Sequence, residues 1–112
     1  MIDDVTQARA LIARMEAHLP IPARPTSGLV RLLKKQGLNL SRHRELSIRR
    51  LFYLGDEGGI SCDITPPGME KMPVICSITH LRIAPAHPLA KEIRGYQSAR
   101  ANRLAREQAG RS

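Results

Sequence analysis

Aromatic residues are nearly absent from this chain of 112 residues, which has no tryptophan, one phenylalanine and two tyrosines. Any hydrophobic core must therefore be built from aliphatic side chains. Proteins that read single-stranded bases need several exposed aromatic rings for stacking, so the composition argues against that class. Recognition of a nucleic-acid backbone needs no such rings, because basic side chains contact the phosphates.

Long apolar runs are missing as well. No stretch of the sequence approaches the roughly 18 apolar residues that cross a bilayer. The chain begins Met1-Ile2-Asp3-Asp4, with no basic region ahead of a hydrophobic stretch, as a secretory signal would have. We therefore expect a cytoplasmic protein that does not contact a membrane.

Cysteine is scarce, since the chain contains only Cys62 and Cys76. Neither these two residues nor His80 and His87 follow the paired spacing of a zinc site, so the sequence predicts no metal and no other cofactor. If two predicted strands fold about the 66–72 loop, Cys62 faces Cys76 directly. We interpret both as small apolar core residues, and a redox-active pair is the alternative.

No group of side chains points to catalysis. Asp56 and Glu57 lie in a glycine-rich turn, where such residues serve the backbone conformation. Gly58-Gly59 precedes a predicted strand, whereas a phosphate-binding loop precedes the N-terminus of a helix. An enzyme is therefore the least supported class, and the sequence names no catalytic residue.

One domain of ordinary size accounts for the length of the chain. Leu, Ile, Val and Phe make up 27 of the 112 residues, above the roughly one-fifth level below which disorder becomes the rule. We interpret residues 1–112 as a single small basic domain, with a C-terminal tail that frays from about residue 106.

The first predicted helix spans 6–19, where apolar residues recur at helical spacing. Asp3 and Asp4 are placed to cap its N-terminus. The prolines within 20–25 then end the helix and predict a stiff connector.

Two more helices are predicted further along the chain. A short one follows a cap at Thr26 or Ser27 and ends with Lys34 and Lys35, before Gly37. The last helix begins near Pro88, a residue that suits a first helical turn. Its predicted face carries Leu89, Ile93, Tyr96, Arg100 and Leu104.

From Glu45 onward the apolar spacing changes to two, the period of a strand. Three strands are predicted, near 46–54, near 60–64 and from 74 to near Pro85, joined by turns at 55–59 and 66–72. The first turn would place Phe52 opposite Cys62. The order is α-α-β-β-β-α, and we predict an α+β fold of two layers, with a three-stranded antiparallel sheet packed against helices.

A winged helix-turn-helix is the alternative fold. If residues 41–52 were helical, the chain would have three helices followed by a two-stranded wing. The alternation from Leu46 to Leu54, broken only by Arg50, favours a strand. Because Arg50 has the inward parity, we expect it at a bulge, at a sheet edge, or paired with a buried acid.

Acidic residues are few, since 10 Asp and Glu stand against 18 Lys and Arg. The formal net charge is +8. The excess lies in two blocks on either side of an acidic middle. Residues 21–51 hold eight basic residues and one acidic residue, and residues 82–112 hold seven and two. Such segregation strengthens the local positive potential, and the blocks form one patch only if they meet in space.

Nucleic acid is the predicted partner, contacted at its backbone phosphates in a salt-dependent way. The predicted contacts are basic residues of the first block: Lys34, Lys35, Arg42, Arg44, Arg49 and Arg50. Further contacts are expected from the last helix, at Arg100, Arg103 and Arg106. The alternative is a protein-interaction or regulatory module that docks on an acidic partner or self-associates. Its predicted surface is the outer sheet face, with Leu51, Tyr53, Ile75 and Leu81.

Overall fold

Three α-helices and six short β-strands make up the regular structure of residues 2–110, the part of the chain that the computed structural model describes. In chain order they are α1 (Val5–Glu16), β1 (Ile21–Pro25), α2 (Ser27–Lys35), β2 (Leu46–Ile48), β3 (Arg50–Tyr53), β4 (Ile60–Asp63), β5 (Ile75–Ser77), β6 (Leu81–Arg82) and α3 (Ala90–Ala109). The predicted α+β class is confirmed.

The strands form two antiparallel sheets, with orders β2-β1-β6 and β3-β4-β5. The prediction of one three-stranded sheet in the order α-α-β-β-β-α is therefore wrong. It missed β1, which lies in the proline-rich segment interpreted as a connector. Prolines are tolerated there because each β1 residue pairs on one side only, residues 21–23 with β2 and residues 24–25 with β6.

Residues 41–52 contain no helix, so the winged helix-turn-helix alternative is wrong. The predicted strand over 46–54 is interrupted at Arg49, and its two parts, β2 and β3, belong to different sheets. The interruption also changes which alternate residues face the core, from even-numbered positions before Arg49 to odd-numbered positions after it. Ile48 is fully buried before the break, whereas Leu51 and Tyr53 pack against the core after it.

The strand register of the second sheet is partly as predicted. Cys62 lies directly opposite Cys76, which confirms that pairing. The predicted pairing of Phe52 with Cys62 is wrong by one residue, because Leu51 occupies that position and Phe52 faces Ser61. The shift arises in the turn, which closes as a 3₁₀ segment with the Leu54 N–H donating to the Gly59 carbonyl at 2.8 Å.

The predicted caps at Asp4 and Thr26 are confirmed, whereas Asp3, which was also predicted to cap α1, bonds to Arg100 instead. The Asp4 carboxylate accepts a hydrogen bond from the Gln7 N–H and caps α1, and the Thr26 hydroxyl accepts one from the Leu29 N–H and caps α2. Gly37 has a positive φ of 88° just after α2, a conformation that glycine adopts at low cost. Helix α3 continues to Ala109, and Arg111 lies outside the described residues.

An aliphatic core joins all of these elements, as the shortage of aromatic residues predicts. Both sheets contribute to it, and α1, α2 and α3 each add one apolar face. Among its most deeply buried members are Met15, Ile21, Leu29, Ile48, Ile60, Ile64, Ile78, Leu81 and Ile93.

Candidate functional site

The two basic blocks of the sequence meet where β1 pairs with β6. Arg24 lies directly opposite Arg82 in this antiparallel pair. The Arg82 guanidinium is held by two backbone carbonyls, donating from Nε to Pro25 at 3.3 Å and from Nη2 to Arg42 at 2.5 Å. Residues 21–51 and 82–112 therefore contribute arginines to the same part of the surface.

A concavity of about 230 Å³ lies beside this arginine pair. Arg24 and Arg82 line it together with Glu45 and the 83–85 segment. Like charges directly opposite each other on paired strands repel. The exposed Glu45 carboxylate is the acidic group of this concavity and offsets part of that repulsion.

A second concavity, of about 490 Å³, adjoins the first through Glu45. Arg44 and Arg49 line it on the β2 side, and Glu70 lines it from the loop before β5. Backbone N–H groups of Glu70 and Gly68 lower the pKa of the Glu70 carboxyl, and Arg49 lowers it further. This concavity therefore holds two arginines and two acidic residues.

A third concavity, of about 450 Å³, shares Arg82 and Ile83 with the first. Arg94 of α3 lines it, and Gln97 anchors the same stretch of helix by donating to the Ile78 and Leu81 carbonyls at 2.7 and 2.8 Å. We define the basic face as the exposed arginines that line these three concavities, together with Arg42, whose backbone carbonyl accepts from Arg82. Its members are Arg24, Arg42, Arg44, Arg49, Arg82 and Arg94.

The predicted phosphate contacts are thus only partly brought together. Arg44 and Arg49 line a concavity of the basic face, and Arg42 adjoins Arg82 through its backbone carbonyl. Lys34 and Lys35 lie exposed in the last turn of α2 and line none of the three concavities. Sequence reasoning did not select Arg24, Arg82 or Arg94. Their membership of the two basic blocks was visible, but their proximity depends on the unpredicted strand β1.

Arg50 forms an ion pair with Asp63, the residue directly opposite it on β4. Its Nε and Nη2 donate to Asp63 Oδ2 at 3.1 and 2.9 Å, and its guanidinium lies over the Phe52 ring, 5.5 Å from the centroid. Asp63 is buried and β3 is an edge strand, so two of the three alternatives for Arg50, a sheet edge and a buried acidic partner, are found together.

The Asp63 carboxylate receives further hydrogen bonds from the Thr65 backbone N–H and from the Thr65 hydroxyl, at 3.0 and 2.6 Å. Burial alone would raise the pKa of Asp63, but the hydrogen bonds from Thr65 and Arg50 outweigh it, and the pKa is lowered. The ion pair joins directly opposed residues of β3 and β4. Arg50 therefore stabilises this hairpin.

A buried polar cluster ties the N-terminus to α3. Asp3 Oδ1 accepts from Arg100 Nη1 at 2.9 Å, and Asp3 Oδ2 accepts from the hydroxyls of Tyr96 and Tyr53 at 2.5 and 3.2 Å. Arg100 also donates to the Asp56 carbonyl at 2.9 Å. Because Arg100 is only 4% exposed, its predicted role as a phosphate contact is wrong.

The buried cluster also perturbs its tyrosines. Burial and the hydrogen bond to Asp3 raise the pKa of Tyr96, and burial together with the nearby Asp3 charge raises that of Tyr53. Arg103 donates to the Ile2 carbonyl at 3.0 Å beside this cluster. These contacts fix Ile2 and Asp3 against α3.

The predicted outer apolar face does not exist as such. Leu81 is buried, and Leu51 and Tyr53 pack partly against the core. Ile75 is the member of that set that is exposed, at 48%. The prediction failed because the parity changes at Arg49 and because the chain turns through a 3₁₀ segment before Leu81.

No protein-family model matches this sequence, and comparisons with curated proteins and with solved structures find no match either. Across residues 2–110, no helix combines the length and the apolar character that would let it cross a membrane. The same residues contain no group of three His, Cys, Asp or Glu that could hold a metal ion. The function must therefore be inferred from the chain's own surface.

Proposed function

We propose that this protein binds nucleic acid through backbone phosphates, which it contacts with the basic face. The observation that carries the proposal is the pairing of Arg24 with Arg82 across β1 and β6, which joins two basic blocks that are far apart in sequence. The hydrogen bond from Arg82 to the Arg42 carbonyl adds a second link between the blocks. Adjacent exposed guanidinium groups produce a local positive potential larger than the net charge implies.

Arginine chemistry suits a phosphate ligand. Each guanidinium presents a planar fork of donors that can bind phosphate oxygens in pairs. If all six arginines of the basic face contacted duplex DNA, the binding constant would depend on salt with a logarithmic slope of about −5. Lys34 and Lys35 remain proposed contacts, whereas Arg50 is engaged by Asp63.

The positions of the aromatic residues favour recognition of the nucleic-acid backbone over recognition of the bases. Phe52 lies under the Arg50 guanidinium, and the hydroxyls of Tyr53 and Tyr96 bond to Asp3. These are the chain's three aromatic side chains, so none lies on the basic face to stack on a base. We also infer a cytoplasmic location, since Cys62 and Cys76 are free thiols.

The proposal is tested by fluorescence anisotropy with a labelled DNA duplex and an RNA duplex of the same sequence, between about 50 and 200 mM salt. Arg24→Ser should weaken binding several-fold and reduce the salt slope by about 1. The control is Arg9→Ser, which removes the same charge from an exposed position on α1. The two duplexes distinguish a DNA-binding from an RNA-binding protein.

Glu45→Gln should change the affinity for nucleic acid in the opposite direction. It removes the carboxylate shared by two concavities of the basic face, so binding should tighten about two- to five-fold, as expected when a nearby repulsive charge is lost. Glu16→Gln, on α1, is the matched control. Absence of binding at low salt, binding without a salt slope, or equal effects of Arg9→Ser and Arg24→Ser would overturn the proposal.

A further inference from the structure

An apolar groove lies on another part of the surface, between α2 and the segment that leads into β5. Its volume is about 280 Å³, and Leu29, Leu33 and Val74 form buried parts of its wall. Three large apolar side chains on the groove are exposed to solvent: Leu32 at 44%, Met72 at 68% and Ile75 at 48%. Exposed apolar side chains that converge on one concavity are typical of an interaction site.

The charges around the groove are basic. Helix α2 carries Arg31, Lys34 and Lys35 and no acidic residue. Lys35 lies three positions after Leu32, which makes the two neighbours on the helix surface, and Lys71 directly precedes Met72. The acidic residue of the 66–74 segment, Glu70, accepts from the Gly68 N–H and lines a concavity of the basic face instead.

We propose that this apolar groove docks an acidic amphipathic helix of a partner protein. The apolar face of such a helix, with residues at i, i+3 or i+4, and i+7, would fill the groove, and its flanking Asp or Glu residues would face Lys35 and Lys71. None of the six arginines of the basic face lines this groove, so substitutions in the groove leave those arginines in place, and Lys35 is the residue that the two proposals share.

A helix fits the groove better than an extended strand does. Strand β5 is an edge strand, but it is only three residues long and continues directly into a 3₁₀ segment, which leaves a short row of backbone groups for strand addition. The walls are instead apolar side chains, including Met69 and Met72. Methionine is flexible and is over-used at surfaces that accept helical ligands.

The test is a selection from a phage-displayed library of helical peptides on the intact protein, followed by fluorescence polarisation with the enriched peptides. Enriched sequences should be acidic and should carry apolar residues at helical spacing. Leu32→Ser combined with Met72→Ser should weaken their binding at least tenfold. Both side chains are exposed, so these substitutions preserve the core. Leu54→Ser, at a position 52% exposed outside the groove, should leave binding unchanged.

Each alternative occupant has its own signature. Enrichment of basic peptides or of none, or equal losses for Leu54→Ser and the groove variant, would overturn the proposal. Wild-type protein that sediments as a dimer, with a monomeric groove variant, would show a second copy of this chain in the groove and overturn it as well. Loss of peptide binding in Arg24→Ser, with the groove variant unaffected, would show that the peptides bind the basic face and would also overturn the proposal.

Discussion

Replacing Asp3 with alanine should lower the free energy of unfolding by about 4 kcal/mol, because removing one partner of a buried ion pair typically costs about 3–5 kcal/mol. The Asp3 and Arg100 side chains are 1% and 4% exposed. In the variant, the Arg100 guanidinium would keep only backbone carbonyl acceptors, at Asp56 and Gly55. The hydroxyls of Tyr53 and Tyr96 would also lose their shared acceptor.

The assay is urea unfolding followed by far-UV circular dichroism. A loss of this size is a large part of the 5–15 kcal/mol that stabilises a typical domain, so the midpoint should fall clearly. Asp4→Ala is the matched control, because Asp4 is the neighbouring residue of the same type and is exposed. It caps α1 through the Gln7 N–H, and its loss should cost about 1 kcal/mol.

A double-mutant cycle isolates the ion pair from the rest of the buried cluster. Arg100→Met alone leaves Asp3 buried without its cation, and the double variant with Asp3→Ala removes both charges. The double variant should therefore be more stable than the sum of the two single losses predicts, by more than about 1 kcal/mol. An Asp3→Ala loss no larger than that of Asp4→Ala, or strictly additive losses in the cycle, would refute the reasoning.

Three further predictions concern other parts of the fold. Gly59→Ala should cost at least about 2 kcal/mol more than Gly37→Ala in urea unfolding; both have positive φ, but a Cβ at Gly59 would lie 2.3 Å from the Tyr96 hydroxyl and one at Gly37 meets no atom within 4 Å. The lowered pKa of Asp63 contributes stability that is present above its unfolded value of about 3.9 and is lost as the pH falls through the folded pKa. Asp63→Asn should therefore lose less stability than wild type between about pH 5 and pH 2, and an equal loss would contradict this. Burial raises the pKa of Cys76 to about 12 and that of its cross-strand partner further. Both thiols should react slowly with a disulfide reagent until urea unfolds the chain, and rapid native reaction would instead support a redox pair.

The features that could be predicted from the sequence are mainly local ones. The caps at Asp4 and Thr26 depend on hydrogen bonds between residues three apart, so the information lies within one helical turn. The Cys62–Cys76 pairing follows from strand alternation on both sides of one loop. The aliphatic core follows directly from the composition.

The missed features depend on contacts between distant segments. Strand β1 contains Pro22 and Pro25, and local preference argues against a strand there. It forms because residues 46–48 and 81–82 pair with its two halves. The proximity of Arg24 and Arg82 depends on that pairing, so sequence reasoning selected only half of the basic face.

Arg50 and Arg100 illustrate what can be predicted from a charged residue that interrupts an apolar sequence pattern. Each lies at a position where an apolar residue is expected, and each pairs with a buried aspartate. Arg100 is buried and needs such a partner, because an unpaired buried charge is costly. Arg50 is exposed because the inward parity changes at Arg49, and in its pair it is Asp63 that is buried. The sequence pattern does not identify the partner, since Asp63 is 13 residues from Arg50 and Asp3 is 97 residues from Arg100. Both arginines raise the net charge of +8 without being free for phosphate, so the six arginines of the basic face describe the proposed binding capacity better than the net charge does.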